Sequence, residues 1–199
     1  ADNEGAMCII NVSDPGIEIV KLTAIDKTRG YFEILLKDVN AEVLENSVNN
    51  KDPITKTIDA GRIMLAADSV GASQVMIDKS VEYAKERKQF GRVIGSFQAV
   101  KHMCAEMAAE LEPCYAIVWH AAHCFSNVPE EARLMACQSK SHVSEVGKMV
   151  SKKATEVHGG MGFTDLLGLH YWFKRIGMNR QLLGSPEIVR EEAGRIQGF

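Results

Sequence analysis

FQAVKHMCAEMAAELEPCYAIVWHAAHCF, residues Phe97–Phe125, sets apolar side chains at Phe97, Val100, Cys104, Met107, Leu111, Cys114, Val118, Ala121 and Phe125. The steps alternate three and four without a break, the period of a single buried stripe on an α-helix. Pro113 lies inside the run and is expected to kink the helix or strip one hydrogen bond from it. Upstream, Ile63, Ala67, Val70, Ile77, Val81 and Ala84 predict a helix beginning near Pro53 and ending near Arg87. Downstream, a third helix is expected from Pro129, capped by Asn127, toward Val157. Leu169, Trp172, Phe173 and Ile176 predict a fourth. Ser185-Pro186-Glu187 supplies a cap, a first-turn proline and an early acid for the last. Long helices with short connections predict a mainly α fold, an antiparallel four-helix-type bundle, over residues 53–199.

The first fifty residues have another texture. Ala6–Val12 and Ile17–Leu22 are short β-branched runs separated by Ser13-Asp14-Pro15-Gly16, a turn by its chemistry. Tyr31–Val39 is a third strand candidate, closing into the polar stretch Asn46–Asp52. Three strands with one apolar face do not complete a sheet domain. Residues 1–50 are therefore expected to be the last strands of a β domain that precedes the bundle.

Composition narrows the function. With 23 Lys+Arg against 26 Asp+Glu and a net charge of −3, the 199-residue chain offers no basic footprint for nucleic acid. No apolar run approaches the roughly 18 residues of a membrane span. The start, ADNEGAMCIINV, has no basic region of the kind that opens a secretory leader. Five cysteines (Cys8, Cys104, Cys114, Cys124, Cys137) form no C-x-x-C pair and suit reduced thiols of a cytoplasm or mitochondrial matrix. His120, His123 and Cys124 make a compact H-x-x-H-C, but without a partner pair elsewhere no metal site is expected. No E-x-x-H occurs, which removes the di-iron bundle reading.

Two glycine-bearing segments interrupt the helices. The first runs Tyr83-Ala84-Lys85-Glu86-Arg87-Lys88-Gln89-Phe90-Gly91, then Ile94-Gly95-Ser96-Phe97-Gln98, a basic helix end with Gly91 expected as its exit. The second is Val157-His158-Gly159-Gly160-Met161-Gly162-Phe163, whose glycines permit positive φ and close approach of backbone to a ligand. It follows a helix, not a strand, so it is no dinucleotide fingerprint. Taken alone, the first reads better as a helix–helix connection with a solvated basic end, and the second also reads as a long loop reversing the chain between helices.

In order and spacing, R-K-Q-F-G (Arg87–Gly91) with I-x-x-F-Q (Ile94–Gln98), followed by H-G-G-x-G-F (His158–Phe163), resemble the acyl-CoA dehydrogenase family. Asp59-Ala60-Gly61-Arg62 resembles the opening of that family's first bundle helix. The likeness covers the whole chain, the early strands matching the end of the family's middle β domain. It implies an FAD-dependent α,β-dehydrogenation of an acyl-CoA thioester, in fatty acid or sterol catabolism. It also implies a homo- or hetero-tetramer and an electron-transfer flavoprotein as acceptor. Arg87, Gln89 and Phe90 are implied to touch the ADP part of FAD from a neighbouring subunit, an arginine fork suiting pyrophosphate. Gln98 falls near the same half of the cofactor, and Gly159 and Gly160 match the family's backbone contact to the adenosine end. Glu156 stands where the family usually has glutamine. Asp59 and Arg62 match the acid and arginine beside the thioester; as plain structure they read as a first-turn acid and a solvated arginine.

The family reaction needs a carboxylate to accept the α-proton. Most members place a glutamate immediately before Gly-Thr or Gly-Ser near the C-terminus, and this chain has Leu183 there. A minority place it immediately before the arginine of the first bundle helix, and this chain has Gly61. Asp165 and Glu187 are the nearest spare carboxylates and read better as a helix cap and a solvated helical acid. The Leu183 N–H can polarise a thioester carbonyl, but polarisation without a proton acceptor yields a binder. Gln181-Leu182-Leu183-Gly184-Ser185-Pro186 further resembles actinobacterial members of sterol side-chain breakdown, which form paired subunits. Three readings follow: a non-catalytic subunit of a heteromer, an active dehydrogenase with an unplaced base, or a flavin-free scaffold of the same fold.

Overall fold

The computed structural model describes residues 5–199; Ala1–Glu4, the first residues of the leader reading, lie outside it. The chain divides into two compact units at the boundary between Ile58 and Asp59. In the first, β1 (Cys8–Ile10) pairs antiparallel with β4 (Ala41–Val43), and β2 (Ile17–Leu22) with β3 (Tyr31–Leu36). The three expected strands are present, the first and third shorter than their apolar runs, and β4 is an addition. Ala41-Glu42-Val43 is too short for alternation to reveal; its partner strand fixes it. Between β2 and β3, buried Asp26 accepts hydrogen bonds from the Thr28 amide (2.9 Å) and hydroxyl (2.6 Å), Arg29 Nε (3.0 Å) and the Tyr31 hydroxyl (2.9 Å). Ile19, Phe32, Ile34 and Leu36 keep half of their surface exposed.

The second unit is helical. After α1 (Asp52–Glu86) come a miniature hairpin of β5 (Lys88–Gln89) and β6 (Arg92–Val93), α2 (Gln98–Asn127), α3 (Pro129–His158), α4 (Leu169–Gln181) and α5 (Pro186–Ile196). α3 is the central element and packs on α2, α4 and α5. Val128 alone joins α2 to α3, so the two run antiparallel. One core unites Met76 and Ile77 of α1 with Met107 and Leu111 of α2, Val143 and Val150 of α3, and Leu169 and Ile176 of α4. Met107 is wholly buried, and truncating such a side chain to alanine costs about 2–5 kcal/mol.

Several expectations change. α1 starts at Asp52, so Asp59 and Arg62 lie in its third turn, not at its opening. Its buried stripe runs through Ala66 while Ala67 is exposed, and it includes Ser69, Ser73 and Ser80. Ser69 and Ser80 donate to the carbonyls four residues back (2.8 and 2.7 Å), which lets hydroxyls sit in an apolar seam that reads as polar in sequence. Asn127 ends α2, with Val128 as the cap residue of α3; the Asn127 side chain donates back to the His123 carbonyl (3.1 Å). Pro113 is exposed, and α2 continues through it without the N–H that would have bonded the Ala109 carbonyl. Gly91 is not a helix cap. With Phe90 it forms the two-residue turn of the β5–β6 hairpin, both at positive φ (53° and 76°).

Candidate functional site

The segment joining α4 to α5 folds back onto α1. Leu182 ends α4 extended, then Leu183 (φ 56°) and Gly184 (φ 105°) turn the chain so that Ser185 takes the N-cap position of α5, although its side chain makes no capping bond. A left-handed leucine costs on the order of 1–2 kcal/mol, so neighbouring contacts must hold it there. Arg62 does so: its Nε donates to the Leu183 carbonyl at 3.0 Å. The Leu183 side chain then lies over Gly61, where a Cβ would stand 2.4 Å from Leu183 Cδ1. The two positions at which the family resemblance places a base thus converge on one spot, which holds an aliphatic side chain and no carboxylate.

Arg62 is buried and fully engaged, contrary to a solvated arginine. Its Nη2 pairs with Glu192 Oε2 of α5 at 2.8 Å, and its Nη1 meets Cys137 Sγ of α3 at 3.3 Å and Asp59 Oδ1 at 3.8 Å. Arg133 of α3 closes the square, donating to Asp59 Oδ1 at 3.0 Å and pairing closely with Glu192. Burial pushes the Asp59 carboxyl above the ordinary carboxylate range, against the pull of Arg133 and Arg62. Two residues along a helix turn the side chain by about 200°, so Asp59 faces away from the Leu183–Gly61 contact. The expected substrate pair is thus committed to joining α1, α3 and α5, and it touches the 182–184 turn through the Leu183 carbonyl that Arg62 holds.

The spare carboxylates are no better placed to accept a proton. Glu187 is pulled down to about 2 by the Ser185 hydroxyl, its own helix-terminal N–H and Arg180, with which it pairs at 2.7 Å. Asp165 is exposed, accepts from the Tyr171 hydroxyl (3.1 Å) and lies 3.2 Å from His170 Nε2.

The two glycine-bearing segments meet at the other end of the unit. Tyr83 of α1 and His158, the last residue of α3, stack with centroids 4.6 Å apart. That stack brings the Arg87–Gly91 turn and Gly159–Gly160 to the same end of the bundle. Arg87, Gln89, Phe90 and Gln98 are all exposed, Phe90 at 92%. Phe90 meets Phe97 edge to face at 6.2 Å, and Arg92 covers the Phe97 ring at 4.0 Å. Gln89 folds onto the Lys88 carbonyl (2.7 Å), and Gln98 lies 3.4 Å from His102 Nε2. Gly159 adopts φ 57°, ψ −142°, a region essentially closed to other residues, and a Cβ at Gly159 or Gly160 would meet nothing within 4 Å. This end of the unit thus carries bare backbone open to solvent at Gly159 and Gly160 and, on the other segment, an exposed arginine and aromatic ring, groups of the kind that suit a nucleotide's pyrophosphate and base. Glu156 is exposed on α3, and its carbonyl accepts the Gly159 N–H.

Arg133, Glu192 and Lys140 carry no mark of these roles in the sequence, and Cys137 reads there only as a reduced thiol, because a helical residue's partners on other helices leave no local signal. Lys140 is 1% exposed and donates to the carbonyls of Asn179 (2.7 Å) and Arg180 (3.1 Å), so it caps the C-terminus of α4 just before the 182–184 turn. Burial pushes its amine down to about 8, helped by Arg62 and Arg180.

A helical domain of this order, with a glycine-rich turn after its third long helix, defines the class. A profile of the acyl-CoA dehydrogenase C-terminal domain matches residues 52–197, and the chain belongs to the acyl-CoA dehydrogenase family. It is 34% identical over 187 residues to the probable acyl-CoA dehydrogenase YngJ of Bacillus subtilis, covering 92% of this chain and 49% of that protein. It is 41% identical over 108 residues to the caffeyl-CoA reductase–Etf complex subunit CarC of Acetobacterium woodii, covering 54% of this chain and 28% of the other. The fold superposes on the Tcur3481–Tcur3483 steroid ACAD G363A variant with a TM-score of 0.85 at 25% identity, over 96% of this chain and 51% of that one. The chain spans about half the length, or less, of these relatives. Among the described residues no helix is long and apolar enough to cross a membrane.

Proposed function

We propose that this chain is a subunit of an acyl-CoA dehydrogenase-type flavoprotein that takes part in binding FAD and an acyl-CoA thioester but does not supply the catalytic base. The observation that carries this reading is the contact of Leu183 with Gly61: both family positions for the base occupy one place, and neither brings a carboxylate. In the family reaction the α-proton leaves to a carboxylate while FAD, when bound, accepts the β-hydride. Here Arg62 holds the Leu183 carbonyl and so orients the 182–184 backbone, which is left to polarise a thioester without accepting its proton. Arg87, Gln89, Phe90 and Gln98 would hold the ADP half of the cofactor, and the bare backbone of Gly159 and Gly160, with Glu156 on the same helix end, would serve its adenosine end. Residues 1–50 form the end of a β domain and residues 53–199 the helical domain; the half-exposed apolar side chains of β2 and β3 suit a sheet that continues.

A base then has to come from a related subunit, in a heteromeric assembly that passes electrons to an electron-transfer flavoprotein. The Etf-complex relative and the paired steroid ACAD support an assembly of this kind. The test is anaerobic titration with an acyl-CoA, followed by flavin absorbance, of the chain purified alone and together with a co-purifying family member that carries the glutamate. Bleaching confined to the paired preparation is the expected result. Bleaching by this chain alone would overturn the assignment and require a base within it, and absence of flavin from both would leave a scaffold.

A further inference from the structure

At the corner where α2 turns into α3, three metal-ligating side chains converge. His120 and Cys124 are four residues apart in the last two turns of α2, on one face of the helix. Glu131 enters from the first turn of α3. Cys124 Sγ lies 3.6 Å from His120 Nε2 and 3.9 Å from Glu131 Oε2, and the ligand atoms of all three fall within 4.8 Å of one another. The H-x-x-H-C of the sequence is therefore rearranged: His123 turns its Nδ1 to Asn127 (3.3 Å), and a carboxylate from the next helix replaces it.

We propose that His120, Cys124 and Glu131 bind a zinc ion that fastens the α2–α3 corner. Zinc bonds of about 2.3 Å to sulfur and 2.0–2.1 Å to nitrogen, at a tetrahedral angle, set those two atoms about 3.6 Å apart. That is the separation of Cys124 Sγ and His120 Nε2. Sulfur, imidazole and carboxylate together form a donor set suited to zinc, with a fourth position left to water. Cys124 forms the buried wall of the site, while His120 and Glu131 are exposed, so their rotamers can draw in the remaining distance. A neighbouring acid, Glu130, adds negative charge beside the cation. Binding forms a Zn–S bond and releases the Cys124 thiol proton to solvent.

The experiment titrates the purified full chain with Co²⁺ as a spectroscopic probe, then displaces it with Zn²⁺. One equivalent should bind with cobalt–thiolate charge-transfer absorption, and zinc should abolish the band. Cys124→Ala should lose the band, whereas Cys8→Ser, removing the exposed cysteine, should keep it. His120→Ala and Glu131→Gln, both at exposed positions that leave the fold intact, should each weaken zinc binding at least tenfold. Retention of the band in Cys124→Ala, or unchanged zinc affinity in both His120→Ala and Glu131→Gln, would overturn the site. If Cys124→Ala fails to fold, the two surface variants decide.

Discussion

The side chain of Leu183 occupies the space that any side chain at Gly61 would need: a Cβ at position 61 would stand 2.4 Å from Leu183 Cδ1. One place in the fold therefore serves both positions from which a base is expected. A carboxylate introduced at either has to enter the same volume, and Leu183 now holds it.

Leu183→Glu follows from that contact. The backbone is already left-handed at φ 56°, so exchanging one unbranched-Cβ side chain for another adds no further backbone cost, and the fold should persist. A positioned carboxylate contributes about 10²–10⁴-fold to proton transfer, so acyl-CoA-dependent flavin bleaching should rise from background in the flavin-loaded protein. No gain, in a variant that still binds acyl-CoA, would mean that the acyl cavity is closed.

Arg62→Ala should destabilise the protein by about 3–5 kcal/mol, the cost of removing one partner from a buried ionic network. It strips the Leu183 carbonyl of its donor and leaves Asp59 and Glu192 to share Arg133 as their one cation. Arg62→Lys should recover only part of this, because an ammonium does not span Glu192, Cys137 and the carbonyl at once. Urea unfolding midpoints with unchanged slopes would check both values.

Arg87→Ala should leave stability within about 0.5 kcal/mol, as for other exposed positions. Flavin content per chain should nevertheless fall if Arg87 meets pyrophosphate. Equal flavin stoichiometry in variant and parent, by absorbance after gel filtration, would remove Arg87 from the cofactor site.

Lys140 should leave a signature in the pH dependence of stability. Its amine is held at about 8, below the ordinary 10.5, so between those values the unfolded chain binds more protons than the folded one. Stability attributable to Lys140 therefore rises with pH across that window, by about 3 kcal/mol in full. Buried thiols act oppositely, as with Cys114, raised to about 11 by burial and by Glu110, so the parent's profile mixes both signs. The informative quantity is the difference between parent and Lys140→Met, which should move in the parent's favour from pH 8 to pH 10. A flat difference would show that the amine titrates normally.

The helical half was legible because burial writes itself into a regular period. Val100 through Phe125 form the inward stripe of α2, and α5 opens at Pro186 after Ser185, with Glu187 in its first turn. The seam of α1 was harder to read, since Ser69, Ser73 and Ser80 lie buried within it. Short strands such as β4 escaped for want of residues to alternate. The hairpin at Phe90–Gly91 was mistaken for a helix exit because glycine at positive φ serves both purposes.

By itself the sequence determined the family, the helical order and the absence of a glutamate at positions 61 and 183, because motifs and periodicity are local properties of a chain. Only the tertiary structure decided that Gly61 and Leu183 share one place, that Asp59 and Arg62 are tied to Arg133 and Glu192, and that Glu131 joins His120 and Cys124. Each of these is a meeting of residues from different segments of the chain. Such meetings depend on how the helices rotate and cross in the packed core, which the spacing of residues along one helix does not specify.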